Sequence, residues 1–269
     1  MSMYAKKSLG QNWLKSESAV KLIVATAELA PGETVLEIGP GRGVLTEALL
    51  GTGAKVIAVE KDDRLIELLN QKFADEIKTK KLTLIHGDIL NLNWSETADK
   101  SKLKQYKLVA NIPYYLTGQI IRKFLSEEEH QPEKMVMMLQ KEVAKRLVAG
   151  DKKESLLSIA VKIYGQPKYI KTVPAGAFEP RPKVDSAILL IANIARDNFK
   201  NQKIDEEKFF GILHRSFGQK RKMLANNLKL DSTIMQTCRL DAKIRAENLT
   251  VADWLCLAKQ LTRSADNAD

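Results

Sequence analysis

The chain has 269 residues, of which 44% are hydrophobic and 28% are charged, and its formal net charge is +10. This composition is ordinary for a soluble globular protein, and the absence of any apolar run near the ~20 residues that cross a bilayer excludes a membrane helix. Because the N-terminus also lacks the apolar core of a signal peptide, we expect a cytoplasmic protein. The positive charge favours a polyanionic binding partner, and nucleic acid is a better candidate than an acidic membrane surface.

The predicted elements begin with an amphipathic helix over residues 16–30, which Pro31-Gly32 ends. Apolar strands then alternate with helices, the pattern of an α/β fold with a mostly parallel sheet covered on both faces. The predicted strands are Thr34–Ile38, Lys55–Glu60, Leu82–His86, Leu108–Ala110 and Met135–Leu139. The predicted helices are Val44–Leu50, Asp62–Asp75, Gln119–Leu125 and Lys141–Val148.

A helix over Ser155–Tyr164 precedes two further strands, Tyr169–Val173 and Ser186–Ile194, which we expect to close the sheet edge as an antiparallel pair. The strand signals then stop, and the polar stretch Arg196–Glu207 marks a domain boundary. We therefore predict domains at residues 1–195 and 196–269, the second small and all-helical. Its predicted helices are Phe209–Phe217, Arg221–Leu228, Ser232–Cys238 and Ala252–Leu261.

The two cysteines, Cys238 and Cys256, and the three histidines are far apart in the sequence. They show no metal-ligand spacing and no order typical of nucleophilic catalysis. We predict that no metal is bound and that the cysteines are reduced core thiols in a reducing compartment.

A glycine-rich turn, Glu37 to Gly43, joins the first predicted strand to the next helix, and Glu60 ends the second strand. Gly39 and Gly41 let the backbone approach a ligand, and a carboxylate at Glu60 can accept hydrogen bonds from ribose hydroxyls. Both a dinucleotide and S-adenosylmethionine fit this arrangement.

The details favour S-adenosylmethionine. The dinucleotide pattern is G-x-G-x-x-G, whereas this chain has G-x-G-x-G with Glu37 two residues before it. A carboxylate there would repel a pyrophosphate but could hold the cationic amino-acid end of S-adenosylmethionine. Asp88, after the third strand, adds an acceptor for an adenine amine, although an aspartate here is also typical of a turn.

The stretch Asn111-Ile112-Pro113-Tyr114 follows the apolar run 108–110, at a strand end where open α/β sheets bind their ligands. It combines an amide, a stiff turn and an aromatic face, which together can hold a planar base bearing an amine. Phe178, beside prolines later in the chain, is a candidate second aromatic wall. Taken singly, each of these residues is more often structural, Asn111 as a turn former and Tyr114 and Phe178 as packing aromatics. Their combination with the cofactor motif favours catalysis.

Basic residues cluster in three places. Residues 208–230 contain no acidic residue, the N-terminal segment is basic, and Arg181-Pro182-Lys183 lies in a predicted loop. A charge run is usually a solvated face, but three such runs favour nucleic-acid contact. The candidate RNA-binding residues are Arg181, Lys183, Lys220, Arg221 and Lys222.

Five segments together resemble the ribosomal RNA adenine dimethyltransferase family over nearly the whole chain. They are residues 7–14 (KSLGQNWL), 37–43 (EIGPGRG), 111–114 (NIPY), 178–186 (FEPRPKVDS) and 217–228 (FGQKRKMLANNL). The resemblance implies a class I, Rossmann-like S-adenosylmethionine-dependent methyltransferase with a helical C-terminal domain. It implies two adjacent adenosines near the 3′ end of 16S rRNA as acceptors, and hence the small ribosomal subunit as partner; we expect a monomer.

The expected site residues follow from the motifs and the resemblance. The catalytic residues are Asn111, Pro113, Tyr114 and Phe178, and the cofactor-binding residues are Asn12, Leu14, Glu37, Gly39, Gly41, Glu60, Asp88 and Asn111. The chain departs from the family pattern at Trp13, where the family usually has phenylalanine, and at Lys15-Ser16, where an aspartate often follows the leucine. The nearest alternative is a 23S rRNA adenine methyltransferase of the antibiotic-resistance type. The intact cofactor and catalytic motifs argue against a nucleic-acid-binding relative without catalysis, and the glycine spacing argues against an NAD-dependent oxidoreductase.

Overall fold

A computed structural model describes residues 4–6, 9–92, 105–149, 153–219 and 221–266. By its internal contacts the chain divides into two compact units. The sheet unit comprises Met1–Ala144 and Pro167–Ile194, and the helical unit comprises Lys145–Gln166 and Ala195–Asp269. No helix within the described ranges is long and apolar enough to cross a membrane.

The sheet unit is built on seven strands: β2 Thr34–Ile38, β3 Lys55–Glu60, β4 Leu82–His86, β5 Lys107–Asn111, β6 Lys134–Gln140, β7 Gln166–Val173 and β9 Ser186–Ala192. Their order in the sheet is β4-β3-β2-β5-β6-β9-β7. Strands β2 to β6 are parallel to one another, and β9 is antiparallel to β6. A separate two-stranded sheet pairs β1, Trp13–Leu14, with β8, Phe178–Glu179.

The helices of the sheet unit alternate with these strands. They are α1 Glu17–Ala27, α2 Val44–Leu50, α3 Asp63–Lys72, α4 Ala74–Lys78, α5 Thr117–Arg122 and α6 Lys141–Val148, the last of which runs into the helical unit. The continuous apolar runs of β2, β3 and β5 pack the core, because a strand of a parallel sheet is covered on both faces. The prediction of a mostly parallel sheet with helices is confirmed.

Strand order reverses at β2, which lies between β3 and β5. The chain runs from β2 outward through β3 to β4, and then returns to place β5 on the other side of β2. A crevice forms outside the carboxyl ends of the strands at such a reversal, and this is where open α/β sheets bind ligands. The glycine-rich turn follows β2, and Asn111 ends β5 at this point.

The helical unit contains α7 Leu156–Lys162, α8 Asp197–Gln202, α9 Glu206–Phe217, α10 Leu224–Leu228, α11 Ser232–Thr237 and α12 Val251–Asp266. Its core includes an aromatic cluster of Tyr164, Phe199, Phe209 and Phe210, with ring centroids 5.3–6.3 Å apart. The polar stretch at the predicted domain boundary contains α8, and Phe199 of this helix is buried in the cluster.

Several predicted boundaries were wrong. The single helix predicted over Asp62–Asp75 is interrupted at Phe73, whose ring is buried against Gly43, and α10 begins three residues after Arg221. The prediction of reduced thiols was also wrong: a disulfide joins Cys238 to Cys256. Their Cα atoms lie 5.8 Å apart, within the range that a disulfide spans, a proximity that their spacing in sequence does not reveal.

Candidate active site

The candidate site is a cavity of about 350 Å³ at the carboxyl ends of β2, β3 and β5, formed by residues of the sheet unit. Its volume is within the range of small-molecule sites. Every residue predicted to bind cofactor or to act in catalysis lines it: Asn12, Leu14, Glu37, Gly39, Gly41, Glu60, Asp88, Asn111, Pro113, Tyr114 and Phe178. Segments up to 166 residues apart in sequence thus meet at one place.

The glycine-rich turn requires its glycines. Gly39, Gly41 and Gly43 have φ values of 69°, 58° and 76°, a region that side chains disfavour. A Cβ at Gly39 would have no atom within 4 Å and would occupy space beside the cavity, whereas at Gly43 it would lie 2.5 Å from the Phe73 ring. Gly39 therefore leaves room for a ligand, and Gly43 allows the turn before α2 to pack closely against Leu69 and Phe73.

Glu37 is buried, with 1% of its surface exposed, and its Oε2 has no hydrogen-bond partner among the described residues. Burial raises the pKa of this carboxyl to about 8; the hydroxyl of Thr46 opposes the shift and the charge of Glu60 adds to it. The side chain is therefore mostly protonated at pH 7 in the absence of a cation. A buried acceptor without a partner in a cavity wall fits a site that meets a positively charged group.

Glu60 accepts three backbone N–H groups at the end of β3. Its Oε1 accepts from Lys61 at 2.9 Å and from Asp62 at 2.9 Å, and its Oε2 accepts from Gly41 at 3.1 Å. Burial raises the pKa of Glu60, and these amides oppose that shift. A carboxylate offers about four acceptor positions, so Glu60 keeps room for roughly one more donor, such as a ribose hydroxyl.

Asp88 lies beyond β4 and is held by two partners. Its Oδ2 accepts from Lys61 Nζ at 2.8 Å, and its Oδ1 accepts from the Leu90 N–H at 3.1 Å. Partial burial would by itself raise the pKa of Asp88, but the ammonium and the amide outweigh it, and the pKa is lowered. The carboxylate is therefore fixed and charged at the cavity wall.

The loop after β5 carries Asn111 and Tyr114. Asn111 Nδ2 donates to the Asn12 carbonyl at 3.3 Å, and no described residue donates to its Oδ1. The Tyr114 hydroxyl lies 2.8 Å from Ser186 Oγ, and burial raises the pKa of Tyr114. The amide thus keeps an acceptor available at the cavity, and the aromatic ring is held in a fixed orientation.

Phe178 reaches the same cavity from β8. Leu14 is its partner in the β1–β8 pair, and the Lys15 N–H donates to the Ala177 carbonyl at 2.9 Å. Only 3% of Phe178 is exposed, so its ring forms part of a packed wall. The short β1–β8 sheet, which no sequence pattern predicted, therefore joins the N-terminal segment to the segment around Phe178.

The contact between Arg42 and Trp13 in the cavity wall was not predicted from the sequence. The Arg42 guanidinium stacks on the Trp13 ring, 3.8 Å from the centroid, and lies 3.9 Å from the Glu179 carboxylate. The indole Nε1 of Trp13 is buried without a partner in the described structure. Arginine within the glycine turn and tryptophan in place of phenylalanine were the available signals, but only the fold pairs them.

The predicted RNA-binding residues do not line the cavity. Arg181 and Lys183 are exposed in the sheet unit shortly after β8, and Arg221 and Lys222 are exposed in the helical unit before α10. Lys220 lies outside the described residues. No group of three or more His, Cys, Asp or Glu suited to a metal ion occurs in the described part of the chain.

Fold and site together define a class I methyltransferase that uses S-adenosylmethionine as methyl donor. The open space at Gly39, the unpartnered buried oxygen of Glu37 and the fixed carboxylates of Glu60 and Asp88 suit its cationic, hydroxyl-bearing structure. The family model for ribosomal RNA adenine dimethylase matches residues 3–263. The chain belongs to that family.

Individual relatives support the same family assignment. The chain is 41% identical to ribosomal RNA small subunit methyltransferase A of Dehalococcoides mccartyi, over 95% of this chain and 89% of the relative. It is 38% identical to the protein of the same name from Thermosynechococcus vestitus, over 98% and 99% of the two chains.

Two solved structures have similar folds. A dimethyladenosine transferase from Plasmodium falciparum has a TM-score of 0.78 at 25% identity, covering 94% of this chain and 98% of that one. The 23S rRNA methyltransferase ErmE has a TM-score of 0.73 at 22% identity, covering 93% of this chain and 100% of that one, and this likeness shows the fold alone.

Proposed function

We propose that this protein transfers methyl groups from S-adenosylmethionine to N6 of two adjacent adenosines near the 3′ end of 16S rRNA. The observation that carries the proposal is the position of Asn111. Its Nδ2 is engaged by the Asn12 carbonyl, so its Oδ1 is left to accept a hydrogen bond at the edge of the cofactor cavity. The names of the relatives, which specify the small subunit, support this acceptor over 23S rRNA.

Asn111 is proposed to activate the adenine amine. That nitrogen is a poor nucleophile because its lone pair is delocalised into the ring. When Asn111 Oδ1 and the Ile112 carbonyl accept its two hydrogens, the lone pair is directed toward the methyl donor. Pro113 stiffens the turn and contributes no N–H of its own. The bound cofactor supplies a methyl group on a sulfonium centre, and the protein contributes positioning and electrostatics.

Tyr114 and Phe178 are proposed to hold the flipped base between them. Both line the cavity; Tyr114 is oriented by Ser186, and Phe178 by the pairing of β8 with β1. Stacking on an aromatic side chain contributes about 1–3 kcal/mol per base, which helps to offset the cost of unstacking the adenosine.

The donor is proposed to lie between the glycine turn and the N-terminal segment. Glu37 would meet its ammonium group, Glu60 a ribose hydroxyl, and Asp88 the adenine amine. Asn12, Leu14, Gly39 and Gly41 would complete the wall.

To test this function, unmethylated small subunits are incubated with the protein and methyl-labelled S-adenosylmethionine. The methylated adenosines of the small-subunit rRNA are then located by mass spectrometry. We expect N6,N6-dimethylation of two adjacent adenosines near the 3′ end. Methylation confined to 23S rRNA, offered in parallel, would favour the antibiotic-resistance type. Cofactor binding without methylation of either RNA would favour a binding protein.

Residues 196–269 are proposed as an rRNA-binding domain, with Arg221 and Lys222 at phosphates. Replacing both with alanine should weaken small-subunit rRNA binding and lower the slope of log affinity against log salt by about one to two, because each lost phosphate contact removes roughly one released counterion. Binding titrations at several salt concentrations measure this. The control is Lys78→Ala with Lys81→Ala, two exposed lysines of the sheet unit. An unchanged slope in the Arg221/Lys222 variant would assign these residues to an ordinary solvated face.

Arg181 and Lys183 are proposed to contact the RNA beside the target base, since both are exposed just beyond β8. Lys220, which precedes Arg221 in the sequence, is proposed to contact the rRNA together with Arg221 and Lys222. We further infer a cytoplasmic monomer that acts where small subunits assemble; light scattering of the purified protein tests the monomer.

A further inference from the structure

Asp62 is a fully buried carboxylate outside the set of predicted site residues. Its side chain has 0% relative exposure, and it lies just beyond β3, two residues after Glu60. There it caps α3 by accepting the Arg64 N–H at 3.3 Å. A buried carboxylate needs charged and hydrogen-bonding partners to be tolerated.

The partners of Asp62 come from two distant parts of the sequence. Arg64 donates through Nε at 3.0 Å and through a terminal nitrogen at 2.7 Å, while Lys6 Nζ at 3.2 Å and Gln11 Nε2 at 2.9 Å reach it from the N-terminal segment. Gln11 also accepts the Lys6 N–H on its Oε1 at 2.8 Å. Asp62 therefore binds both ends of the stretch from Lys6 to Gln11.

That stretch leads directly into the cavity wall. Residues 9–15, here called the N-terminal strap, all line the cavity. The strap touches the catalytic loop where the Asn12 carbonyl accepts from Asn111, and where Gly10 packs against the Tyr115 ring. A Cβ at Gly10 would lie 3.0 Å from that ring, so the strap follows the loop closely.

We propose that Asp62 is a positioning residue that anchors the N-terminal strap as a wall of the cofactor site. The inference rests on the proposed cofactor function. Asp62 does not line the cavity and acts through Gln11 and Lys6. Because its own N–H donates to Glu60, one short segment orders both the ribose-side carboxylate and the strap. The ion pair with Arg64, which together with Gln11 and Lys6 lowers the pKa of Asp62, keeps the anchor charged.

The test uses Asp62→Asn, which keeps a side-chain oxygen to cap α3 but removes the charge and one acceptor. Without cofactor, we expect amide hydrogen exchange in residues 9–14 to accelerate at least tenfold while α3 keeps its protection. The Kd of S-adenosylmethionine should rise about tenfold or more, and kcat at saturating cofactor should change less than threefold. Asp63→Asn, the adjacent acid whose side chain is 80% exposed, is the matched control and should behave as wild type.

Gln11→Leu provides a second route to the same contact. If Asp62 acts through Gln11, the double variant should weaken cofactor binding by less than the product of the two single effects. Independent effects, unchanged exchange in the strap of Asp62→Asn, or an unchanged Kd would each overturn the proposal. If the wild-type protein itself failed to bind S-adenosylmethionine, the proposed function would fall instead, whereas the exchange of the strap would still report on the anchor.

Discussion

Replacing Asn111 with alanine is expected to lower kcat for methyl transfer by about 10²- to 10³-fold, the loss typical for removal of one preorganised hydrogen-bonding group at a reacting centre. The acceptor oxygen is lost, and so is the bond from Nδ2 to the Asn12 carbonyl. Because that bond joins Asn111 to the N-terminal strap, the Kd of S-adenosylmethionine should also rise. The factor by which Kd rises should be smaller than the factor by which kcat falls. Single-turnover methyl transfer from labelled cofactor to small subunits measures the effect on catalysis. A separate titration measures the affinity for the cofactor.

The control is Asn70→Ala, an exposed asparagine on α3 of the same unit, which should leave both values unchanged. Asn111→Asp adds a second test, because it keeps an oxygen but loses the donor to Asn12. Methylation by Asn111→Ala at a near wild-type rate, with cofactor binding intact, would show that the amide does not activate the base.

Glu37→Gln is expected to change how stability depends on pH. The pKa of the carboxyl is ordinarily 4.5, the value expected in the unfolded chain, and is about 8 in the folded protein, so folding retains a proton that the unfolded chain releases. The stabilisation that this retained proton provides is fully present below pH 4.5. It is lost progressively as the pH rises toward 8, and the free energy of unfolding no longer depends on Glu37 ionisation above that pH. At about 1.4 kcal/mol per pKa unit, the free energy of unfolding of wild type should fall by about 4–5 kcal/mol relative to Glu37→Gln across this window. Denaturant unfolding at pH 5, 7 and 9 without cofactor measures the difference.

The same substitution should weaken cofactor binding. A cation at Glu37 selects the ionised carboxylate, so the wild-type affinity for S-adenosylmethionine should rise up to about tenfold per pH unit below 8. In Glu37→Gln this dependence should be absent. Glu67→Gln, an exposed acid on α3, serves as the control for both measurements. Parallel pH profiles for wild type and Glu37→Gln would mean that Glu37 neither titrates in this range nor meets the cation.

The strands and the position of the site were predictable because they depend on local patterns. The apolar runs of β2, β3 and β5, the glycine turn after β2, and Asn111 at a strand end each identify themselves within a few residues. The carboxyl ends of parallel strands meet at one edge, so residues that follow different strands were expected to come together, and they do. The two-residue strands β1 and β8 have no periodicity to detect, and neither was predicted.

The α/β order, the family and the residues around one cofactor cavity follow from the sequence alone, because motifs of fixed spacing carry them. The burial, hydrogen bonding and charge state of those residues arise from the folded structure instead. It buried Glu37 without a hydrogen-bond partner for Oε2, used most of the acceptor positions of Glu60 on backbone amides, and stacked Arg42 on Trp13. It also gathered Lys6, Gln11 and Arg64 around Asp62. These properties depend on burial and on contacts between separate segments, such as Gln11 with Asp62 and Trp13 with Arg42, which the sequence around each residue does not reveal.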